Sequence, residues 1–422
     1  MDTNTILELR DFTVEFSTPA GRFTAVNSAS FKVQRGEVLA IVGESGSGKS
    51  VMTQSIVKLI PSPPSRIARG AVMFEGQDLV RFSPAELHRI RGRKIGIIFQ
   101  DAMTALNPTM RIGSQITESL LEHFRFTKKN RIALTEILLE KLAGISGGVS
   151  AGQDMEKREG IITAWFNEFF YPEQEQLSQW RQDILSLLDS PKRDAGIRDW
   201  IAAKGSMTRT KANAIALRLL ELVKIPEPHK RFNQYIFQLS GGMRQRIMVA
   251  IAMACRPGLI IADEPTTALD VTIKGEILDL LIDLKQKLNV AVLLITHDLG
   301  IVASYADRIG VLYTGEFAEM GTVDDVFYNP RHPYTLGLLH SIPRLDIDSD
   351  KELETIEGNP PNPLEHLEGC SFADRCRYAM RICYTRRPPR ADISETHWAA
   401  CFLLDGRAAQ AAVKSGYQEA LR

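Results

Sequence analysis

The chain has 422 residues, more than the roughly 150 that one domain ordinarily takes, so two or three structural units are expected. At 44% hydrophobic and 24% charged it carries enough apolar material for a large core, which excludes the collagenous, low-complexity and disordered classes. Lys plus Arg and Asp plus Glu stand at 51 each, so the global basic excess of a nucleic-acid or anionic-membrane binder is missing. No run approaches the ~18 consecutive apolar residues of a bilayer span, and Met1 to Arg10 has no apolar leader, so a soluble or peripheral chain is expected.

Residues 5–16, with Leu7, Leu9, Phe12, Val14 and Phe16, and residues 24–33 read as alternating strands flanking the turn residues Pro19, Ala20 and Gly21, an antiparallel subsheet. Glu37 to Val42 is a largely apolar strand that runs directly into Gly43-Glu44-Ser45-Gly46-Ser47-Gly48-Lys49-Ser50, followed by a helical pattern from Val51 to Ile60. Strand, glycine-rich loop and helix are the context a P-loop requires. Glycines let successive N–H groups turn toward phosphate oxygens, Lys49 supplies a charge to the β and γ phosphates, and the Ser50 hydroxyl can ligate Mg²⁺. The helix N-terminus beneath adds its dipole.

Residues 125–207 read differently. Trp165, Phe166, Phe169 and Phe170, then Leu177, Trp180, Ile184, Leu185 and Leu188, fall at helical spacing, and Trp200 follows, so three of the four tryptophans lie here. With breaks at Ser146 to Gly152 and Lys192 to Gly196, this is expected to be an inserted helical subdomain whose aromatic stripe is its own core, or else a partner-docking face. Further on, Leu259 to Ala262 before Asp263, and Ala291 to Ile295 before Thr296 and His297, are buried-type strands separated by helical patterns, as in a parallel α/β sheet. Their polar carboxyl ends are where open α/β sheets place ligands. Asp263 there can hold Mg²⁺ through water, and Glu264 can polarise an attacking water.

Cys255 stands alone and reads as a small core residue, whereas Cys370, Cys376, Cys383 and Cys401 crowd together with spacing C-x5-C-x6-C-x17-C. Four thiolates suit zinc or [4Fe–4S], with thiols carrying no metal as the remaining reading; no C-x-x-C pair is present. His332 and His397, beside Pro333 and Trp398, read as docking or packing residues and not as metal ligands.

Leu239-Ser240-Gly241-Gly242-Met243-Arg244-Gln245, Ala262-Asp263-Glu264-Pro265-Thr266, Ala268-Leu269-Asp270 and Thr296-His297-Asp298 resemble, in order, the signature, Walker B, D-loop and H-loop of an ATP-binding cassette (ABC) ATPase. The resemblance implies Gln100, in Ile98-Phe99-Gln100, as the Q-loop glutamine and a Mg²⁺ ligand, Glu264 as catalytic base, His297 as γ-phosphate sensor and Phe16 as the aromatic that stacks on adenine, with Phe23 nearby in the same hairpin. Nucleotide contacts are implied for Gly43 to Ser50 together with Val51, for Asp263, and, facing ATP held by a second cassette, for Ser240, Gly241, Gly242 and Asp270. Ser50 and Asp263 complete the Mg²⁺ set. Met243 replaces the commoner glutamine of the signature, and Ser146-Gly147-Gly148 is a decoy expected to be a loop.

Leu106-Asn107-Pro108, His332-Pro333-Tyr334-Thr335, Leu338-Leu339, Ser341-Ile342-Pro343 and the tail pattern Gly369-Cys370, Phe372, Arg375-Cys376 are similar to the ATP-binding subunits of bacterial dipeptide, oligopeptide and nickel importers. The resemblance implies a peripheral ATPase at the cytoplasmic face of the plasma membrane, paired with an identical or different cassette. It also implies two transmembrane permease subunits and an external substrate-binding protein, and it favours [4Fe–4S] at the four cysteines. Peptides are the expected cargo, with nickel or another small solute as the alternative. A regulatory ATP-binding scaffold and a nucleic-acid-linked ATPase are the rivals, weakened by the intact Gln100, Glu264 and His297 and by the neutral charge. The expected architecture is an α/β P-loop cassette with an antiparallel β subdomain and a helical subdomain. It spans residues 1–124 and 208–328, is interrupted by the insert 125–207, and is followed by a small cysteine-containing domain over 329–422.

Overall fold

A computed structural model of the chain describes residues 4–143, 151–172, 174–190, 192–267, 270–341, 356–365 and 367–408. The chain divides into two compact units, Met1–Ala105 together with Gly241–Arg422, and Leu106–Ser240.

In the first unit, β1 (Thr5–Thr18) and β2 (Gly21–Gln34) form the expected antiparallel hairpin, closing at Thr18 opposite Gly21. The apolar alternation of β1 slips by one residue between Leu9 and Phe12, and the ladder shifts register at the same place. Asp11 takes up the extra residue at φ +45° and donates its N–H to Ser30 Oγ at 2.9 Å. A bulge of this kind lets both halves of the strand face the same core. β3 is Val38–Val42; β4 (Ser65–Phe74) pairs antiparallel with β1 and carries β5 (Gln77–Asp78), giving a four-stranded sheet in the order β2-β1-β4-β5.

The second sheet is built on β3, β6 (Ile95–Ile98), β7 (Leu259–Asp263), β8 (Ala291–Thr296) and β9 (Arg308–Tyr313), which lie parallel in the order β9-β3-β8-β7-β6. All residues of β3, β7 and β8 are buried, as continuous apolar runs in a sheet covered on both faces should be. Their carboxyl ends deliver Gly43, Glu264 and His297 to one edge of the sheet, and β6 brings Gln100 to the same edge. β10 (Glu316–Thr322), β12 (Trp398–Ala400) and β11 (Arg390–Asp392) extend the sheet antiparallel beyond β9, so the described cysteine-bearing region is built onto the first unit.

Two boundaries differ from the sequence reading. The helix after the P-loop is Lys49–Ile56 and stops short of Ile60, because Lys58 takes φ +50° and Pro61 follows. Prolines cannot continue a helix, and the residues leading into one are pushed out of helical geometry. The expected break at Lys192 to Gly196 is instead the start of the helix Arg193–Trp200. Gly196 lies inside it, where a Cβ would meet Leu187 Cδ2 at 2.8 Å, so the glycine marks a close helix approach and not a turn. The decoy Ser146-Gly147-Gly148 lies outside the described residues.

The second unit is helical. Lys128–Ala143, Ala151–Phe169, Leu177–Leu188 and Arg193–Trp200 enclose a core of Trp165, Phe166, Phe170, Trp180, Ile184 and Trp200. The rings meet edge-on or tilted, with centroids 4.6–6.5 Å apart, the geometry that aromatic quadrupoles favour. Trp165 is fully buried and donates its indole N–H to Leu134 O at 3.1 Å, so its polar atom is satisfied as well. The same unit takes in Ile112–Phe124 and Arg209–Leu222, which pack on each other.

Candidate functional site

The P-loop leaves β3 at Val42 and closes around its own lysine. Lys49 is 5% exposed and donates to Gly43 O at 2.7 Å and Glu44 O at 2.8 Å. Burial lowers its pKa, opposed by the charges of Glu264, Asp263 and Glu44. Gly48 adopts φ +95°, and a Cβ there would lie 2.4 Å from Ala25 O, so both the conformation and the space demand glycine. The Glu44 N–H donates to the Tyr334 hydroxyl at 2.9 Å, so this amide is engaged by protein.

Beside the loop, Ser50 Oγ donates to Asp263 Oδ1 at 2.8 Å, and Gln54 Nε2 reaches Asp263 Oδ2 at 3.4 Å. Burial raises the Asp263 pKa against these two hydrogen bonds. A hydroxyl and a carboxylate side by side are hard oxygen donors, the chemistry that suits Mg²⁺. One residue on, Glu264 Oε2 accepts from Gln100 Nε2 at 2.9 Å and from Thr267 Oγ1 at 2.8 Å, and its Oε1 lies 3.5 Å from His297 Nδ1. Three residues, two of them distant in the sequence, thus converge on one carboxylate.

These groups open onto a cavity of about 1180 Å³ lined by residues 45–51, Gln100, Glu264, His297 and Phe23. Phe23, not Phe16, lines the cavity; Phe16 stacks on Phe23 with centroids 5.4 Å apart and planes 9° from parallel. The two are cross-strand partners in β1 and β2, which is why the sequence singles out both. Pro360 to Glu365 supply another wall.

Of the signature residues, Ser240 and Gly241 are exposed and Gly242 is buried, with the helix Gly241–Met253 starting directly after Ser240. None of the three lines the cavity. Asp270 is exposed ahead of the helix Val271–Leu288; Ala268 and Leu269 of the same motif lie outside the described residues.

The four clustered cysteines line one small apolar cavity together with Phe372, Tyr378 and Leu403. Burial pushes the Cys376 thiol up to about 12 and raises Cys370 and Cys401. No trio of His, Cys, Asp or Glu among the described residues is closed up to hold a metal as it stands, although a four-thiol donor set in one apolar cavity suits a soft metal or a cluster. Cys255 is buried just beyond the signature helix, its thiol pushed up to about 12, the state of a core residue. His332 and His397 are buried packing groups: His332 Nδ1 accepts from Tyr334 N–H at 3.0 Å, and His397 Nε2 lies 2.7 Å from Glu319 Oε1.

The family model described as ABC transporter matches residues 26–267, over half of the chain. The chain belongs to the ABC transporter family. It is accordingly an ATPase. A second model, the C-terminal region of oligopeptide/dipeptide transporters, matches residues 318–383 of this ABC protein. It is 41% identical to the oligopeptide transport ATP-binding protein OppD of Bacillus subtilis, over 94% of this chain and 89% of that one. It is 39% identical to the dipeptide transport ATP-binding protein DppD of the same organism, over 97% and 98%. The oligopeptide transport ATP-binding protein AmiE of Streptococcus pneumoniae is 39% identical over 96% and 90%.

Sequence reasoning did not single out Thr267, Gln54, Tyr334 or Arg375 as site residues. Thr267 directly follows the Walker B block, and Gln54 lies one helical turn beyond Ser50, so both were reachable by spacing. Arg375 and Tyr334 sit far from the P-loop in sequence, where only the fold brings them to it.

Proposed function

We propose that the chain hydrolyses ATP to power a bacterial importer of peptides, working as one of two cassettes at the cytoplasmic face of the membrane. The observation that carries this reading is the convergence of Gln100, Thr267 and His297 on Glu264, one residue from the Ser50–Asp263 pair. That arrangement suits a base next to a cation site. Glu264 takes the role of general base, Gln100 and His297 hold it and sense the γ-phosphate, and Lys49 with the loop amides grips the triphosphate. Mg²⁺ would be held by Ser50, Asp263 and Gln100 and would offset phosphate charge. Phe23 is assigned to stack on the adenine ring, backed by Phe16.

Ser240, Gly241, Gly242 and Asp270 stand outside the cavity and are assigned to ATP bound by the opposing cassette, so each chain supplies complementary halves of two sites. Closure and reopening of the pair would be transmitted through the segment after Gln100 to two permease subunits, with a substrate-binding protein delivering cargo. Peptides are supported as that cargo by the C-terminal match and by the relatives' stated roles. Among the described residues no helix is long and apolar enough to cross a membrane, in keeping with attachment through partners. Residues 125–207 are assigned as an insertion into the cassette, residues 1–124 and 208–328 as the cassette itself and 329–422 as an importer-type C-terminal region. Cys370, Cys376, Cys383 and Cys401 are assigned as ligands of a [4Fe–4S] cluster with a structural role.

The test is reconstitution with the two permeases and the second cassette in lipid vesicles. ATP turnover should rise when binding protein loaded with a peptide mixture is added outside and should not rise with nickel. Stimulation by nickel alone, or by none of these, would sink the peptide reading.

A further inference from the structure

Glu44, the second residue of the P-loop, is held from two directions by the C-terminal region. Arg375 grips its carboxylate with both arms of the guanidinium, Nη1 to Oε2 at 2.6 Å and Nη2 to Oε1 at 3.0 Å. Tyr334 accepts the Glu44 N–H. The Arg375 side chain is 5% exposed and is itself fixed, donating to Glu357 O at 3.0 Å and Ile356 O at 3.2 Å and lying about 6 Å from the rings of Tyr313 and Phe372. Tyr334 is fully buried. Lys49 in turn donates to the Glu44 carbonyl, so the clamp and the phosphate-binding lysine meet on one residue.

We propose that Arg375 and Tyr334 are positioning residues for the nucleotide site: they fix the P-loop and cancel the charge of Glu44, which would otherwise repel the triphosphate. This rests on the reading of the loop as the ATP site. A carboxylate in a phosphate-binding loop is an electrostatic conflict, and a buried bidentate arginine removes it while fixing the backbone that Lys49 uses. Arginine is the suited residue, since lysine carries the charge without the fork.

The experiment measures nucleotide binding together with KM and kcat for ATP hydrolysis, on the full chain. Arg375→Met should weaken ATP binding and raise KM roughly ten-fold by unmasking Glu44. Arg375→Lys should recover part of the loss. Adding Glu44→Gln to Arg375→Met should restore affinity toward the wild-type value, because the repelling charge has gone; a clamp that merely held the tail together would not be rescued this way. Tyr334→Phe keeps the buried ring and should raise KM with little effect on folding, which keeps the proposal testable if Arg375→Met does not fold. Wild-type KM in Arg375→Met and Tyr334→Phe, or a double variant no better than Arg375→Met, overturns the proposal. Lys49→Ala separates the two levels: nucleotide binding that survives this change removes the site reading itself, whereas its loss alongside wild-type behaviour of the Arg375 and Tyr334 variants overturns only the clamp.

Discussion

Glu264 adopts φ +47°, a left-handed conformation that costs a residue with a side chain roughly 1–2 kcal/mol. Its N–H donates to Ile295 O on the neighbouring strand at 3.0 Å, which fixes the turn and aims the carboxylate at Gln100 and His297. Strain of this sort is held where chemistry needs a side chain in one place. With Glu264 as base, Glu264→Gln should lower turnover by about 10²–10⁴ while leaving ATP bound, since only proton acceptance is lost. Steady-state hydrolysis with a parallel nucleotide-retention assay checks this, and undiminished turnover would count against the assignment. A second residue governs acid behaviour in the helical unit. Burial tends to raise the Asp183 pKa, but hydrogen bonds from Lys204, Trp200 and Gln179 outweigh it and hold the group below its ordinary 3.8. A depressed carboxylate contributes stability above the unfolded-state pKa and loses it as pH falls through the folded value. Denaturation followed by tryptophan fluorescence should therefore show stability falling below about pH 3.8. In Asp183→Asn that part of the pH dependence should flatten.

Among the elements, those with strong local signals were legible in the sequence. The β1–β2 hairpin, the strand into the P-loop and the buried strands β7 and β8 stand where the apolar pattern puts them, because burial on one face leaves an alternating period and burial on both a continuous apolar run. β6, β9, β10 and the β11–β12 hairpin were not singled out: β6 has four residues and β11 and β12 three each, too few for a readable period, while Gly310 and Gly321 interrupt the apolar runs of β9 and β10. The site follows the same division. The P-loop, Asp263, Glu264 and His297 lie at or directly after strand ends and could be read from them, but the resemblance pointed to Phe16 where its cross-strand partner Phe23 lines the cavity. The helices bearing Trp165 and Trp180 were legible from spacing, whereas the start of the one bearing Trp200 was read as a break, and the core they share can be tested as an element. Trp165→Ala removes the fully buried centre of that core and should destabilise the unit by about 3–5 kcal/mol. Urea unfolding should show the loss, and an unchanged transition would mean the helices are held by something else.

Across the whole molecule, the C-terminal region serves the same unit as the ATP site. Its four thiols are gathered in one apolar cavity in which burial raises Cys370, Cys376 and Cys401. Thiols so disfavoured as anions gain most from a positive metal centre, which replaces the proton. Protein purified without oxygen should show sulfur-to-iron charge-transfer absorption and about four irons per chain, the count of one [4Fe–4S] cluster, and Cys376→Ser should abolish both. A colourless protein without iron or zinc would reject the cluster.

The placement of β3 has a consequence for how the protein is made. Its two partners, β8 and β9, arrive about 250 residues later in the chain, and Tyr334 and Arg375 later still. At roughly 5–20 residues per second of synthesis, the P-loop strand waits tens of seconds on the ribosome as an unpaired apolar segment. Until then Lys49 has no sheet to be buried against and Glu44 has no counter-charge. ATP binding is therefore a late event in the life of the nascent chain.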